Sequence, residues 1–233
     1  MPRSGPRSGR HRADDALTGR TIAAMPVDLA AMLAPSHTAM LTMEMQRGVF
    51  GTRSPVPDLA RVVREDGVIA NIRRLAEAAR ATGVPVVHCT VERRADGAGS
   101  ADNCPLLHVV AKGGGGMTAG SPAAAVIDEL GPDPADLICP RAHGVSPFIG
   151  TTLDPTLRSL GVRTVIASGV SVNLGVLGMV IEAVNFGYTV VLPTDATAGF
   201  PREYADAVCN GTLALLATRV TTDDVIAVWT ALQ

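Results

Sequence analysis

The chain has 233 residues, a formal net charge of −2 and a hydrophobic fraction of 47%. This length suits one large domain or two small ones, and the apolar content is enough for a sizeable core. The near-neutral balance argues against nucleic acid as the main partner, and no apolar run reaches the ~18 residues that a membrane span needs. Four cysteines (Cys89, Cys104, Cys139, Cys209) form neither a CxxC pair nor a metal-ligand spacing. Reduced thiols in a cytoplasmic protein are the plainest interpretation.

The N-terminus is basic and rich in Gly, Ser and Pro (Arg3, Arg7, Arg10, Arg12), but no apolar segment comes after it, so it does not read as a secretory signal. Residues 1–20 are expected to form a disordered basic arm, and residues 21–233 a single domain. The first apolar run, 39–43, ends at Glu44. A helix comes next with Ile69, Ile72, Leu75 and Ala79 on one face, and Gly83 stops it. The second run, 84–87, ends at His88. An irregular stretch spans 90–120 and contains Gly113–Gly116, expected as a mobile loop. It is not a phosphate-binding loop, because no Gly-Lys-Ser/Thr comes after the glycines. A loop of that length in a compact domain is usually functional, so it is a candidate lid or subunit contact. A short helix is expected over 123–130, then strands over 137–139 and 164–167. A helix over 173–185, a strand over 189–192, a helix over 202–217, a short strand over 219–221 and a helix over 223–231 complete the chain. Alternating strands and helices imply right-handed crossovers. The fold class is α/β: an open six-stranded parallel sheet with helices on both faces. The scarcity of aromatics and abundance of Ala, Val and Leu fit buried parallel strands.

Ligands in such sheets bind beyond the carboxyl ends of the strands. Polar residues collect there: Glu44 and Gln46 after the first strand, His88 and Thr90 after the second, Arg141 and His143 after the third. Ser171 and Asn173 come after the fourth at a helix N-terminus, and Thr194 and Asp195 after the fifth. Glu44 is either a general acid or a structural carboxylate bonded to Arg141 or to loop amides. Gln46 reads as a positioning residue. His88 is either a ligand contact or a satisfied core histidine. His143 is either a proton carrier or a surface loop residue. Arg141 can clamp a carboxylate bidentately. No metal or other cofactor is expected, since Glu44, His88 and His143 come from three separate strand ends without ligand spacing.

Several segments, in order, carry a family resemblance. His37-Thr38-Ala39-Met40-Leu41-Thr42-Met43-Glu44-Met45-Gln46 resembles an opening strand that normally ends in Asp-x-Gln. Ser146-Pro147-Phe148-Ile149-Gly150-Thr151-Thr152-Leu153 resembles a Ser-x-Phe-x-Gly-Thr-x-Leu segment. Gly169-Val170-Ser171-Val172-Asn173 resembles the Gly-Val-x-Thr-Asn before a nucleophile. Glu182-Ala183 through Tyr188 and Asp195-Ala196 match the helix and strand after that nucleophile. Over residues 36–221 the chain is thus similar to the isochorismatase-like hydrolases, the cysteine hydrolase family. Their usual catalytic set is an aspartate, a lysine and a cysteine. Here Glu44 stands for the aspartate, Gly175 stands at the cysteine position, and the lysine position falls on Arg141 or Ala142 depending on the direction of counting. The resemblance also implies a cis peptide between Val170 and Ser171, and a homo-oligomer to which 90–120 contributes.

Isochorismatases proper resemble this chain in having glycine at that position. They protonate an enol ether with a carboxylic acid, and water attacks the resulting cation. By this resemblance the chain is expected to be a cofactor-independent hydrolase acting on a small, anionic molecule by acid/base chemistry through Glu44. Arg141 stays protonated and cannot replace a tuned lysine as an acid/base group. The amides of Asn173 through Val176 can bind an anion or oxyanion, and Gly175 serves either close ligand approach or packing. Two alternatives stand beside this: an inactive relative that binds a small molecule or a protein partner, and an amidase that has recruited another nucleophile. Glu44, Arg141 and Gly175 are expected to converge in one pocket.

Overall fold

The structure, a computed structural model, describes residues 27–51, 54, 56–112 and 117–232. The basic arm and the Gly113–Gly116 run lie outside the described residues. The strands are β1 (Thr38–Met43), β2 (Val86–Val91), β3 (Leu137–Arg141), β4 (Thr164–Val170), β5 (Thr189–Pro193), β6 (Thr197–Ala198) and β7 (Thr218–Val220). They form one parallel sheet in the order β3-β2-β1-β4-β5-β7, with β6 paired to β4. The six expected strands make the main path. The two-residue β6 is an addition too short to leave a pattern in the sequence.

The helices among the described residues are α1 (Leu29–Met32), α2 (Arg47–Phe50), α3 (Pro57–Glu65), α4 (Val68–Ala81), α5 (Pro105–Lys112), α6 (Leu153–Ser159), α7 (Leu177–Asn185), α8 (Arg202–Asn210) and α9 (Thr222–Ala231). Alternate residues of each strand face opposite layers. Met40, Ile166 and Val191 pack with Val62, Ile72, Leu75 and Trp229 of α3, α4 and α9. Leu41, Val165 and Val190 pack with Leu153, Met179 and Val208 of α6, α7 and α8. The Trp229 indole donates to the Leu33 carbonyl at 2.9 Å, which ties α9 to the segment preceding β1.

Several boundaries differ from expectation. β2 continues through His88 to Val91, and β3 continues to Arg141. The helix expected over 123–130 shrinks to a 3₁₀ turn, Asp128–Leu130. The carbonyls of Ala123 and Ala125 accept instead from Gly48 and Arg47, at 2.8 and 2.9 Å, and Val126 pairs with Gln46. Tertiary backbone bonds thus override the helix propensity of the alanine run. The irregular stretch contains α5, of which only Leu107 is buried, so it carries little apolar periodicity. Helices α3 and α6 are further additions to the expected elements. No described helix is long and apolar enough to cross a membrane.

Candidate functional site

β1 delivers Glu44 to the carboxyl edge of the sheet in an uncommon conformation. With φ 53°, it is the one non-glycine with positive φ among the described residues. Such backbone costs about 1–3 kcal/mol and persists where the surroundings enforce it. Its amide donates to the Cys89 carbonyl at 3.0 Å. Two strands away, Arg141 closes β3, and its Nη2 contacts Glu44 Oε1. Arg141 Nε donates to the Gly144 carbonyl at 3.3 Å, while its Nη1 is buried without a partner. The arginine side chain is almost wholly buried and that of Glu44 is 24% exposed, so the carboxylate is the wetter end of the pair. Ala142, the other candidate for the lysine position, is exposed.

β4 approaches β1 closely enough to exclude side chains. A Cβ on Gly169, at φ 101°, would fall 2.4 Å from the Met43 carbonyl oxygen, so only glycine fits. The next peptide, Val170–Ser171, is cis. A π-helical turn, Val172–Val176, then leads into α7. The amides of Leu174 and Val176 donate to the Ser171 carbonyl at 3.1 and 2.9 Å, which removes two of the expected anion-binding donors. A Cβ on Gly175 would fall 2.9 Å from Met43 Cε and 3.1 Å from the Val170 carbonyl. Glycine there serves packing: Met43 takes the space in front of it.

Glu44 and Arg141 therefore meet across the end of β2, and the Gly175 turn packs on Met43, the residue before Glu44. Two cavities lie near the sheet edge. A cavity of about 500 Å³ is lined by Asp66, Val172, Asp195, Arg202, Cys209 and Arg219, among others. A second, of about 400 Å³, is lined by Thr90, Glu92, Val126, Asp128 and Ile138, among others. Neither is lined by Glu44, Arg141 or Gly175.

Gln46 is fully buried and acts as a clamp. Its Nε2 donates to the carbonyls of Val91 and Ala124 at 3.0 and 2.7 Å, and its Oε1 accepts from the Val91 amide at 2.8 Å. It fixes the end of β1 to the end of β2, as a positioning residue does. His88 does not reach a strand end. Its Nδ1 lies 2.7 Å from Thr42 Oγ1 and its Nε2 3.1 Å from Asp136 Oδ2, so neither ring nitrogen is left for a substrate. Asp136 also receives Arg80 through two bonds of 2.9 and 2.7 Å. Burial pushes the His88 pKa down, more than the neighbouring Asp136 raises it. His143 is exposed, lies against Gly150, and has no hydrogen bond or ion pair among the described residues. The structure does not bring it to Glu44 by any bond. Asn173 Nδ2 donates to the Phe200 carbonyl at 3.1 Å, and its Oδ1 is buried and unpartnered.

The described thiols are all free. Cys89 and Cys139 are buried partners across β2 and β3. Burial, with Cys139 beside it, pushes the Cys89 thiol far up despite the opposing pull of Arg141. A thiol so placed is inert as a nucleophile. Sequence reasoning missed Asp136, which anchors His88, and Arg93, a mostly buried arginine two residues beyond β2. Neither carries a motif: Asp136 is set by side-chain partners distant in sequence, and Arg93 by backbone bonds to Met117 and Ala119.

Known proteins share this architecture. Residues 38–224 match the profile of the isochorismatase domain. The chain is 31% identical over 178 residues to the ureidoacrylate amidohydrolase RutB of Agrobacterium fabrum, covering 71% of this chain and 77% of that protein. Among solved structures, an isochorismatase family protein from Desulfovibrio vulgaris superposes with a TM-score of 0.70 at 30% identity, over 82% of this chain and 98% of that one. A cysteine hydrolase from Pseudomonas syringae pv. phaseolicola gives 0.72 at 25% identity, over 85% and 95%.

Proposed function

Because this chain belongs to the isochorismatase family, we propose that it is a cofactor-independent hydrolase of small anionic molecules, working by non-covalent acid/base chemistry through Glu44. The observation that carries this is the Glu44–Arg141 pair beside the Gly175 turn, at the sheet edge where ligands bind. Glu44 is the proton carrier, towards a reacting carbon or from an attacking water. Arg141 remains charged, so it orients Glu44 and grips an anion and does not shuttle a proton. Gly175 takes the place of the family nucleophile, so no covalent intermediate forms. The name of the relative with amidohydrolase activity brings ureido and amide bonds into the substrate class, beside the vinyl ethers that Gly175 suggests.

The working unit is a homo-oligomer, and the four free thiols fit a reducing cytoplasm. A binding protein without turnover is the second hypothesis. It is favoured by one observation: Glu44 is already engaged by Arg141. A panel of small amides, ureido acids and vinyl ethers separates the two. Hydrolysis lost in Glu44→Gln supports the enzyme; tight binding of a panel member without turnover supports the binding protein.

A further inference from the structure

Beyond β2 lies a second cation that the Glu44 centre does not use. Arg93 is 9% exposed, and its Nε is buried without a partner. Its side chain makes no hydrogen bond or ion pair among the described residues, unlike its neighbour Arg94, which pairs with Asp96. Its backbone is held on both sides: the amide donates to the Met117 carbonyl at 2.8 Å, and the carbonyl accepts from the Ala119 amide at 2.9 Å. Arginine stays charged at any working pH, and a buried donor on such a group without a partner is costly. An anion would satisfy it.

Arg141 ends the neighbouring strand β3. Val91 pairs with Arg141, and the Glu92 amide donates to the Arg141 carbonyl at 2.9 Å. Arg93 is two residues past that rung, roughly 7 Å at the rise of an extended chain. Val91 and the cross-strand Arg141 share one side, and continuing the alternation of β2 past its end by two residues carries Arg93 to that side as well. Glu92 alternates away and lines the 400 Å³ cavity. Both arginines also carry a buried nitrogen without a partner, Nε of Arg93 and Nη1 of Arg141.

We infer that Arg93 and Arg141 together bind the carboxylate of the substrate, one oxygen on each, while Arg141 Nη2 stays on Glu44. This rests on the assignment of the Glu44 centre as a substrate site. The charge balance selects the ligand class. Two guanidiniums and one carboxylate leave a single positive charge, which a monocarboxylate neutralises and a phosphate dianion overshoots. A planar carboxylate also matches the arginine fork.

Calorimetric titration at low ionic strength tests this on the full chain with acrylate, its neutral analogue acrylamide, and inorganic phosphate. Acrylate binds the native protein and acrylamide does not. Arg93→Gln weakens acrylate by about tenfold or more, as loss of a charge-assisted pair does. Without ligand it unfolds at the same or a higher temperature, since an arginine that bonds nothing in the fold is not missed. Arg93→Lys, which keeps the charge and loses the fork, falls between. Equal acrylate affinity in Arg93→Gln overturns the inference, as does preference for phosphate or no acrylate binding by the native chain. Glu44→Gln binds acrylate at least as tightly as the native protein, so failure of the acid/base chemistry shows in turnover alone and failure of this site shows in binding.

Discussion

A carboxylate in left-handed backbone, touched by a buried guanidinium, is held more firmly than a surface acid ever is. Glu44→Gln keeps the shape and removes the proton, so turnover is expected to fall by roughly 10²–10⁴-fold, and the unfolding temperature is expected to drop as well, because the buried Arg141 loses its counter-charge. A fully active Glu44→Gln enzyme sinks the acid/base chemistry. Replacing all four cysteines by serine or alanine should leave turnover within a few fold, because Cys89 is driven away from the thiolate by burial and none sits at the Gly175 turn. Activity that disappears with the thiols, in a protein that still folds, points to a recruited nucleophile instead. Gly175→Cys is expected to destabilise by about 1–3 kcal/mol in a denaturant titration, as overpacking does. The new Cβ meets Met43 Cε, the end of a flexible side chain that can shift, and the Val170 carbonyl, a backbone atom that yields less readily.

At the level of elements, the buried chain Thr42–His88–Asp136–Arg80 joins β1, β2, the turn before β3 and helix α4. His88 is held below its ordinary value by burial. The unfolded chain therefore takes up a proton that the folded one refuses, and stability present above about pH 6.5 is lost as pH falls through the folded value. For Asp136, burial alone raises the pKa, but Arg80, the Asp133 amide and His88 together hold it below the usual carboxylate range. Its contribution is lost only in stronger acid. Urea midpoints at about pH 7.5 and about pH 5.5 should differ in the native protein and converge in His88→Gln; an unchanged gap rules out this histidine as the source. Arg80→Ala strands a buried carboxylate and should cost about 3 kcal/mol, the low end for such a loss because Asp136 keeps its other two partners. None of this network is legible in the sequence. Its members lie 46 to 56 positions apart, and His88 comes after an apolar run just as a strand-end ligand would. Glu44 and Arg141 are legible for the opposite reason. Parallel strands bring all their carboxyl ends to one edge, so position in the chain predicts position in space. The positive φ of Glu44 and the Met43 side chain in front of Gly175 depend on packing between β1 and β4 and leave no trace in residue types.

For the whole molecule, the open question is how the carboxyl edge of the sheet is covered. Three large apolar side chains stand exposed on segments that come after strands there: Ile149 at 59%, Leu174 at 41% and Phe200 at 40%. Leu174 sits on the π-helical turn itself, and its neighbour Asn173 is bonded to the carbonyl of Phe200. Scattered exposed hydrophobics are ordinary on any protein; in the proposed homo-oligomer these three are candidates for the contact. A second copy of the chain seated on them would cover that edge, and water removed from the site would strengthen its electrostatics. Light scattering on the native protein at micromolar concentration should then give a multiple of 24.0 kDa. The double variant Ile149→Glu, Phe200→Ser, which leaves Glu44, Arg141 and Arg93 untouched, should shift the mass to the monomer and lower turnover together. A native protein that runs as a monomer at full activity removes the oligomer from the mechanism; a monomeric double variant with undiminished turnover does the same.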